Sequence, residues 1–255
     1  MFKKFRQWWE KRIIDNAGIS SETWSKAIDR LPILNRLTAN EIEALKKLAT
    51  LLLYKKDFTA AHELTLTDHM KHLIALQACL PVLYLGLEWY EGWHSVIVYP
   101  QGFFSEQTYT DEFGVMHKRK RALSGEAWDR GPVILSWDDV ECSGEIDGDN
   151  LVIHEFAHKL DMRNGVANGF PPLHREMDTG HWAEVFTDAF EHFQVRLGRF
   201  SSSNIDPYAA HSPAEFFSVL SELFFERPDI IDNEYPDVYL LLSEFYRQDT
   251  LAAFS

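Results

Sequence analysis

The spacing of apolar residues predicts helices over most of the first ninety positions. In TANEIEALKKLATLLLYKK, residues 38–56, Ile42, Leu45 and Leu48 recur every three or four positions, which is the period of a helix with one apolar face. Thr38 or Asn40 is suited to cap this helix, because a short polar side chain there can accept a hydrogen bond from the first turn. The pattern therefore predicts a mainly helical N-terminal part.

The pattern changes in the middle of the chain. HSVIVYP, residues 94–100, and GPVILSW, residues 131–137, are short β-branched runs bounded by Gly and Pro, which is typical of strands. Helical spacing returns after about residue 150. We therefore expect an α+β fold in a single domain, mostly helical with a small mixed sheet. Within it, a helical part over residues 1–90 is expected to pack on a core over residues 91–255.

Two further segments have a less obvious place in this fold. LIALQACLPVLYLGL, residues 73–87, is the most apolar run, but it is shorter than the ~20 residues of a membrane span and Pro81 interrupts it. We expect it in the core. Residues 1–13 combine five basic residues and one acid with two Phe and two Trp. We expect either a helix packed on the domain or an amphipathic arm that contacts a partner.

Composition narrows the class of protein. Of the 255 residues, 45% are hydrophobic and 25% are charged, which are ordinary values for a globular chain. The net charge of -14 argues against a direct nucleic-acid binder. Two cysteines make no disulfide framework, and the N-terminal residues lack the apolar run of a signal peptide. We therefore expect no membrane span and a cytoplasmic location.

The segment NLVIHEFAHKLDMRNG, residues 150–165, contains two histidines four positions apart with a glutamate directly after the first. On a helix, His154 and His158 lie one turn apart on the same face, so both imidazoles can reach one metal ion. Glu155 is rotated by about 100° from His154 and could act on a water at the metal as a general base. The alternative is an ordinary amphipathic helix that contains two histidines.

The surroundings of this motif favour a metal site. Asp149 or Asn150 is suited to cap the helix, and Asn164–Gly165 is suited to end it. Asp161 lies on the face of the two histidines, and we expect it to accept a hydrogen bond from one of them and so fix its tautomer. A catalytic zinc ion has three protein ligands, so a third ligand must come from another part of the chain.

We expect the third ligand in SPAEFFSVLSELFFERP, residues 212–228. This helix is apolar nearly all round, except for a polar stripe of Glu215, Ser218 and Glu222. Carboxylates inside an apolar helix need a cation or hydrogen-bond donors, which makes Glu215 the expected ligand. Ser212 leaves open that Glu215 only belongs to a capping box. Glu222 is the alternative ligand, or a partner that orients a histidine.

HEFAHKLD, DPYAA and SPAEFFSVLSELFFERP together resemble the Mlc titration factor A family of zinc metallopeptidases, which is similar in turn to the catalytic domain of anthrax lethal factor. The resemblance is specific over about residues 150–228. It implies a gluzincin-like metallopeptidase domain with one Zn²⁺ per chain, held by His154, His158 and Glu215. It also implies that Glu155 is the base and that the hydroxyl of Tyr208 points at the reacting carbonyl. Without the resemblance, Tyr208 could equally be an aromatic anchor before the helix.

The same resemblance implies a function in two parts. Members are expected to hydrolyse peptides with an aminopeptidase-type activity, and to bind the glucose-repressor protein Mlc and relieve its repression. The alternative is a non-catalytic interaction protein that sequesters the repressor and has a structural or regulatory zinc site. Glu155 favours the enzyme, because a structural site needs ligands but no base.

The predicted strand at residues 131–137 suggests where a peptide substrate would lie. Pro132 cannot donate a hydrogen bond to a neighbouring strand, which favours the edge of a sheet. We expect residues 133–136 to run along the metal cleft and to pair with an extended peptide through main-chain hydrogen bonds. The alternative is an interior strand with both edges paired.

Overall fold

Helices surround a short central run of strands, in the order that the sequence predicts. The computed structural model describes residues 2–110, 116–123, 125–128, 131–199 and 203–252, without the side chains of residues 2–4, 103–110 and 116–123. The α-helices of these residues are α1 (Phe2–Asn16), α2 (Ser21–Ile28), α3 (Ala39–Lys55), α4 (Asp68–Cys79), α5 (Trp137–Cys142), α6 (Leu151–Asp161), α7 (Thr179–Arg199), α8 (Pro213–Glu226), α9 (Pro228–Glu234) and α10 (Pro236–Tyr246). The strands are β1 (Asp57–Ala60), β2 (Ser95–Tyr99), β3 (Phe103–Thr110), β4 (Met116–Leu123), β5 (Gly125–Ala127) and β6 (Val133–Ser136).

The main sheet has four strands in the order β1–β2–β6–β5. β1, β2 and β6 are parallel, and β5 runs antiparallel to β6. β3 and β4 form a separate antiparallel pair. The small mixed sheet expected from the sequence is therefore confirmed.

The strand predicted to bind a peptide is not an edge strand. Residues 133–136 of β6 pair with residues 96–99 of β2 on one side, and residues 133–135 pair with β5 on the other. The expectation that a peptide adds to β6 is therefore wrong. Pro132 comes just before the strand, so its missing N–H removes no bond from the ladder. Among the strands that the structure describes, β5 pairs with β6 alone and β1 pairs with β2 alone, so β5 and β1 are the edge strands of this sheet.

One hydrophobic core joins the N-terminal helices to the rest of the chain. It extends in a single cluster from Ile13 to Tyr246. Residues 73–80 and 82–83 are buried within it, as expected of a core segment, and no described helix is long and apolar enough to cross a membrane. β1, which lies inside residues 1–90, is a strand of the same sheet as β2. The fold is a single α+β domain, and a division near residue 90 stays a prediction.

Polar side chains cap the first turns of α3, α6 and α8. Thr38 caps α3 in a reciprocal pair of hydrogen bonds with Glu41. Asn150 caps α6, and Ser212 caps α8, each by accepting a backbone N–H from the first turn. The cap of α3 is therefore Thr38 rather than Asn40, and the cap of α6 is Asn150 rather than Asp149. Helix starts are predictable here because the capping bond is local.

α1 packs on the domain along one side only. Ile13 is buried, and the ring of Trp9 meets that of Tyr54 on α3 edge-on, with 5.5 Å between the centroids. Phe5 and Trp8 lie away from this contact and are 67% and 54% exposed. Residues 2–13 therefore belong to a helix that is anchored near its C-terminal end.

This one-sided packing predicts unequal effects of two truncations in α1. Ile13→Ala is expected to lower the free energy of unfolding by about 2 kcal/mol, because a buried aliphatic side chain is lost. Trp8→Ala, the matched control on the exposed side, should change it by no more than about 0.5 kcal/mol. Urea unfolding of the two variants measures both values. Equal losses would contradict the one-sided packing.

Candidate metal centre

α6 and α8 lie antiparallel with one face of each against the other. Ser218 meets His158, and one turn further along α8 Glu222 meets His154, one turn back along α6. Because an α-helix repeats every 3.6 residues, positions four apart on each helix keep facing each other. The polar stripe that the sequence predicts on α8 therefore lies in the interface with the histidine helix.

His154, His158 and Glu215 come together at one end of this interface. The Nε2 atoms of both histidines lie 3.1 Å from the same carboxylate oxygen, Oε2 of Glu215. Both histidines are buried, and the side chain of Glu215 is 15% exposed. Although burial opposes it, hydrogen bonding by the two imidazoles holds the pKa of Glu215 well below its usual range. The carboxylate thus stays charged.

The other nitrogen of each imidazole has its own partner on α8. Nδ1 of His154 lies 2.7 Å from Oε1 of Glu222, and Nδ1 of His158 lies 3.1 Å from Oγ of Ser218. Hydrogen bonds at Nδ1 fix the ring orientation and leave Nε2 to face a ligand. Glu222, the alternative third ligand, lies behind His154 and on the opposite side of the ring from Glu215.

Glu155 points away from this carboxylate and beneath β5. Its side chain is buried, and Oε2 has no hydrogen-bond partner among the described residues. A Cβ atom placed on Gly125 would overlap Oε1 of Glu155, so a larger residue at position 125 would force this side chain to move. Burial raises the pKa of Glu155 to about 8. Such a carboxyl is suited to exchanging a proton near neutral pH.

Tyr208 reaches the cluster from a short 3₁₀ turn, Pro207–Ala210, just before α8. Its hydroxyl donates to Oε1 of Glu215 at 3.0 Å, and its ring lies 6.1 Å from that of His154. Asp206 accepts the backbone N–H of Tyr208 and so caps the turn. The turn brings a phenol hydroxyl to the carboxylate that both histidines face.

The donor atoms of the cluster fit a metal ion. One ligand atom from each of His154, His158 and Glu215 lies within 4.8 Å of the others. Two imidazoles and a carboxylate are a donor set of catalytic zinc sites. These residues line one cavity of about 190 Å³ together with Gly125, Glu126, Ala127, Glu155, Met162, Ala167, Tyr208 and Ala214. One buried carboxylate oxygen of Glu155, in the wall of this cavity, has no hydrogen-bond partner among the described residues and could accept a hydrogen bond from a ligand or water bound there.

The chain matches the family model described as Glucose-regulated metallo-peptidase M90 over residues 5–247. The chain belongs to this family. Membership implies a metal ion, and in the described part of the M90 chain the histidine–glutamate cluster is the group of side chains that could hold one. The resemblance read from the three sequence motifs is therefore confirmed at the level of the family.

Curated relatives agree with this assignment over nearly the whole M90 chain. A protein named Mlc titration factor A from Pectobacterium atrosepticum is 42% identical over 236 residues, 91% of this chain and 88% of the relative. A protein of the same name from Yersinia pestis is 39% identical over 232 residues, 90% of this chain and 85% of the relative. The similarity thus covers both the N-terminal helices and the metal cluster.

One predicted role is wrong. Asp161 does not orient a histidine: both Nδ1 atoms are taken by side chains of α8. Its carboxylate instead accepts three backbone N–H groups, from Asn168 and Gly169 at 2.7 Å and from Phe170 at 2.9 Å. The loop that follows α6 folds back over the end of the helix and offers these donors. Asp161 therefore fastens the loop whose Ala167 lines the cavity.

Glu226, which was not predicted from the sequence, continues the polar stripe one turn beyond Glu222. Its carboxylate accepts the N–H of Gly144 at 3.1 Å and of Gly148 at 3.0 Å, and the side-chain amide of Asn150 at 2.7 Å. Burial raises its pKa to about 7. The signal in the sequence that could have revealed this residue is its position four residues after Glu222 on the same helix. Glu226 secures the approach to α6, and with it the position of the first histidine.

Metal content should separate the two possible roles of Glu215. Glu215→Ala is expected to abolish tight metal binding, because two imidazoles alone make a weak site. Ser212→Ala is the matched control: it removes the cap of α8, costs about 1 kcal/mol of stability, and should leave the metal in place. Elemental analysis of the purified variants gives the metal per chain. Stoichiometric metal in Glu215→Ala would make Glu222 the third ligand.

Proposed function

We propose that this protein is a zinc-dependent metallopeptidase that removes residues from the amino end of peptides. The observation that carries the proposal is the pairing of a three-residue ligand cluster with Glu155 in the same cavity. A structural site would need the ligands but not a buried carboxylate beside them. Zinc is proposed because two imidazoles and one carboxylate suit it, with a position left open for water.

Each side chain then has a separate task. Zinc, when bound, would lower the pKa of a water molecule and polarise the substrate carbonyl. Glu155 accepts the proton of the attacking water and returns it to the nitrogen of the leaving amine. Its raised pKa favours both transfers, because the group is neither a very weak base nor a very weak acid near neutral pH.

Tyr208 is proposed to stabilise the oxygen of the carbonyl as it becomes negative. What supports this is the position of its hydroxyl, 3.0 Å from the ligand carboxylate of Glu215. A substrate carbonyl near the cluster would lie within reach of the same donor. A hydrogen bond that strengthens as charge develops lowers the barrier of the reaction.

The substrate backbone is proposed to pair with β5. This strand is one of the two edge strands of the described sheet, and all three of its residues line the cavity. Main-chain pairing would carry the peptide across Glu155, which lies against Gly125. Met162 lines both this cavity and a neighbouring one of about 660 Å³. Preference for the amino end is supported by Glu126 in the cavity wall, whose carboxylate suits a free ammonium group.

The proposed base predicts a clear result for Glu155→Gln. Hydrolysis should fall by about 10²–10⁴ in kcat, because amide and carboxylate have the same shape but only the carboxylate accepts the proton. Metal content should stay at the wild-type value, since Glu155 is not a ligand. Peptides with free and acetylated amino ends, assayed with metal analysis, test base and end preference together. Undiminished turnover in the metal-loaded variant would contradict the mechanism.

We propose, second, that the protein binds the repressor Mlc. This proposal is supported by the name Mlc titration factor A, which is carried by relatives that align over about 90% of this chain. If binding does not depend on catalysis, Glu155→Gln should retain wild-type affinity for Mlc. If wild type binds Mlc without cleaving any peptide, the non-catalytic alternative is favoured.

A cytoplasmic location is also proposed, supported by two free cysteines, Cys79 and Cys142.

A further inference from the structure

Lys159 is a buried cation beside a proposed ligand. It follows His158 on α6 and is 3% exposed. Lysine is almost never buried this far unless its ammonium group has partners. Here Nζ donates to the carbonyl oxygens of Trp128 and Gly131, at 2.5 and 2.9 Å, and lies 5.1 Å from the ring centroid of Trp93. The ammonium group is thus held between an aromatic ring and two carbonyls.

The two carbonyls belong to the turn that joins β5 to β6. The N–H of Gly131 donates to the carbonyl of Trp128 at 3.0 Å, and the N–H of Trp128 donates to the carbonyl of Pro132 at 3.2 Å. One ammonium group therefore binds both sides of this turn. Charge-assisted hydrogen bonds of this kind are about twice as strong as neutral ones. Lys159 ties the end of the hairpin to the histidine helix.

The tie acts on β5, the edge strand that lines the cavity of the metal centre. Glu155 and Lys159 are four residues apart, so they lie on the same face of α6, beneath β5. At one end of β5 the missing side chain of Gly125 lets the strand approach Glu155. At the other end Lys159 holds the turn. These two contacts together fix the distance between β5 and α6.

We propose that Lys159 is a positioning residue for an extended peptide substrate: it holds β5 where the peptide backbone can pair with it and lie across Glu155. This inference rests on the proposed peptidase function. Lys159 touches neither the substrate nor the metal. Its loss should weaken substrate binding more than the chemical step, because the ligands and Glu155 are attached to α6 and α8 rather than to the hairpin.

Lys56 offers a matched control. It is 7% exposed, and its Nζ donates to the carbonyls of Tyr90 and Trp93, both at 2.5 Å, while lying 3.7 Å from the ring centroid of the same Trp93. The two lysines therefore share their chemistry and one aromatic partner. Lys56 binds the segment before β2 and not the β5–β6 turn, so its loss should destabilise the fold without freeing β5.

The experiment compares Lys159→Met and Lys56→Met in the full, metal-loaded chain. Methionine keeps the length and apolar stem of lysine but removes the charge and its donors. In Lys159→Met, we expect KM for a peptide to rise about tenfold, the factor of one lost hydrogen bond to a charged group, with kcat changed less than about threefold. Backbone amides of residues 125–128 should exchange with deuterium at least about tenfold faster. In Lys56→Met both quantities should stay at wild-type values.

Two outcomes would overturn the inference. One is wild-type KM and wild-type exchange at residues 125–128 in Lys159→Met, and the other is an equal rise of KM in Lys56→Met. Lys159→Gln, which keeps one donor on a shorter stem, should fall between wild type and Lys159→Met, and it replaces that variant if methionine prevents folding. Deuterium exchange can be measured without catalytic turnover. An inactive wild-type protein would therefore count against the proposed peptidase function. Unchanged exchange at residues 125–128 in Lys159→Met would instead count against the tie between Lys159 and β5.

Discussion

The buried carboxylates of α8 need hydrogen-bond donors, and this requirement determines how α8 meets α6. Glu222 and Glu226 are 5% and 0% exposed on a largely apolar helix. A buried carboxylate without donors costs several kcal/mol. Glu222 is satisfied by the backbone N–H of Asn150 and by Nδ1 of His154. The same side chain thus holds the start of α6 and its first histidine.

The orientation of the imidazoles follows from this arrangement. With Nδ1 of each ring bound to α8 from behind, both Nε2 atoms face the carboxylate of Glu215. Glu155, turned about 100° around α6, meets β5 instead of α8. The β5 edge of the sheet therefore lies over the proposed base. One helix, α6, thus carries both the histidines that would hold a metal and the carboxylate that would move a proton.

The parts of the site that the sequence predicted depend on residues one or two turns apart. The spacing of His154 and His158 and the cap of α8 are properties of single helices. The partners of Asp161 lie seven to nine residues further on, in an irregular loop, and no local pattern announces them. Glu226 likewise finds its donors 76–82 residues away. Such contacts depend on which distant segments pack together in the fold, and the spacing of side chains along the sequence does not encode that.

The sheet shows the same limit. β-branched runs revealed β2 and β6, but β5 has only three residues, Gly125–Ala127, too few for a period of two to stand out. Because β5 was not predicted, β6 was wrongly expected to have a free edge. The strand was detectable only through its pairing with β6. Glycine at position 125 makes sense once the carboxylate of Glu155 is seen beneath it.

Anomalous diffraction at the zinc absorption edge, from crystals of the zinc-loaded protein, would show directly which side chains hold the ion. We expect one ion per chain, bonded at about 2.0–2.2 Å to Nε2 of His154, Nε2 of His158 and the carboxylate of Glu215. Glu222 should remain hydrogen-bonded to Nδ1 of His154. An ion bound through Glu222 or through an Nδ1 atom, or a cluster without anomalous density, would contradict it.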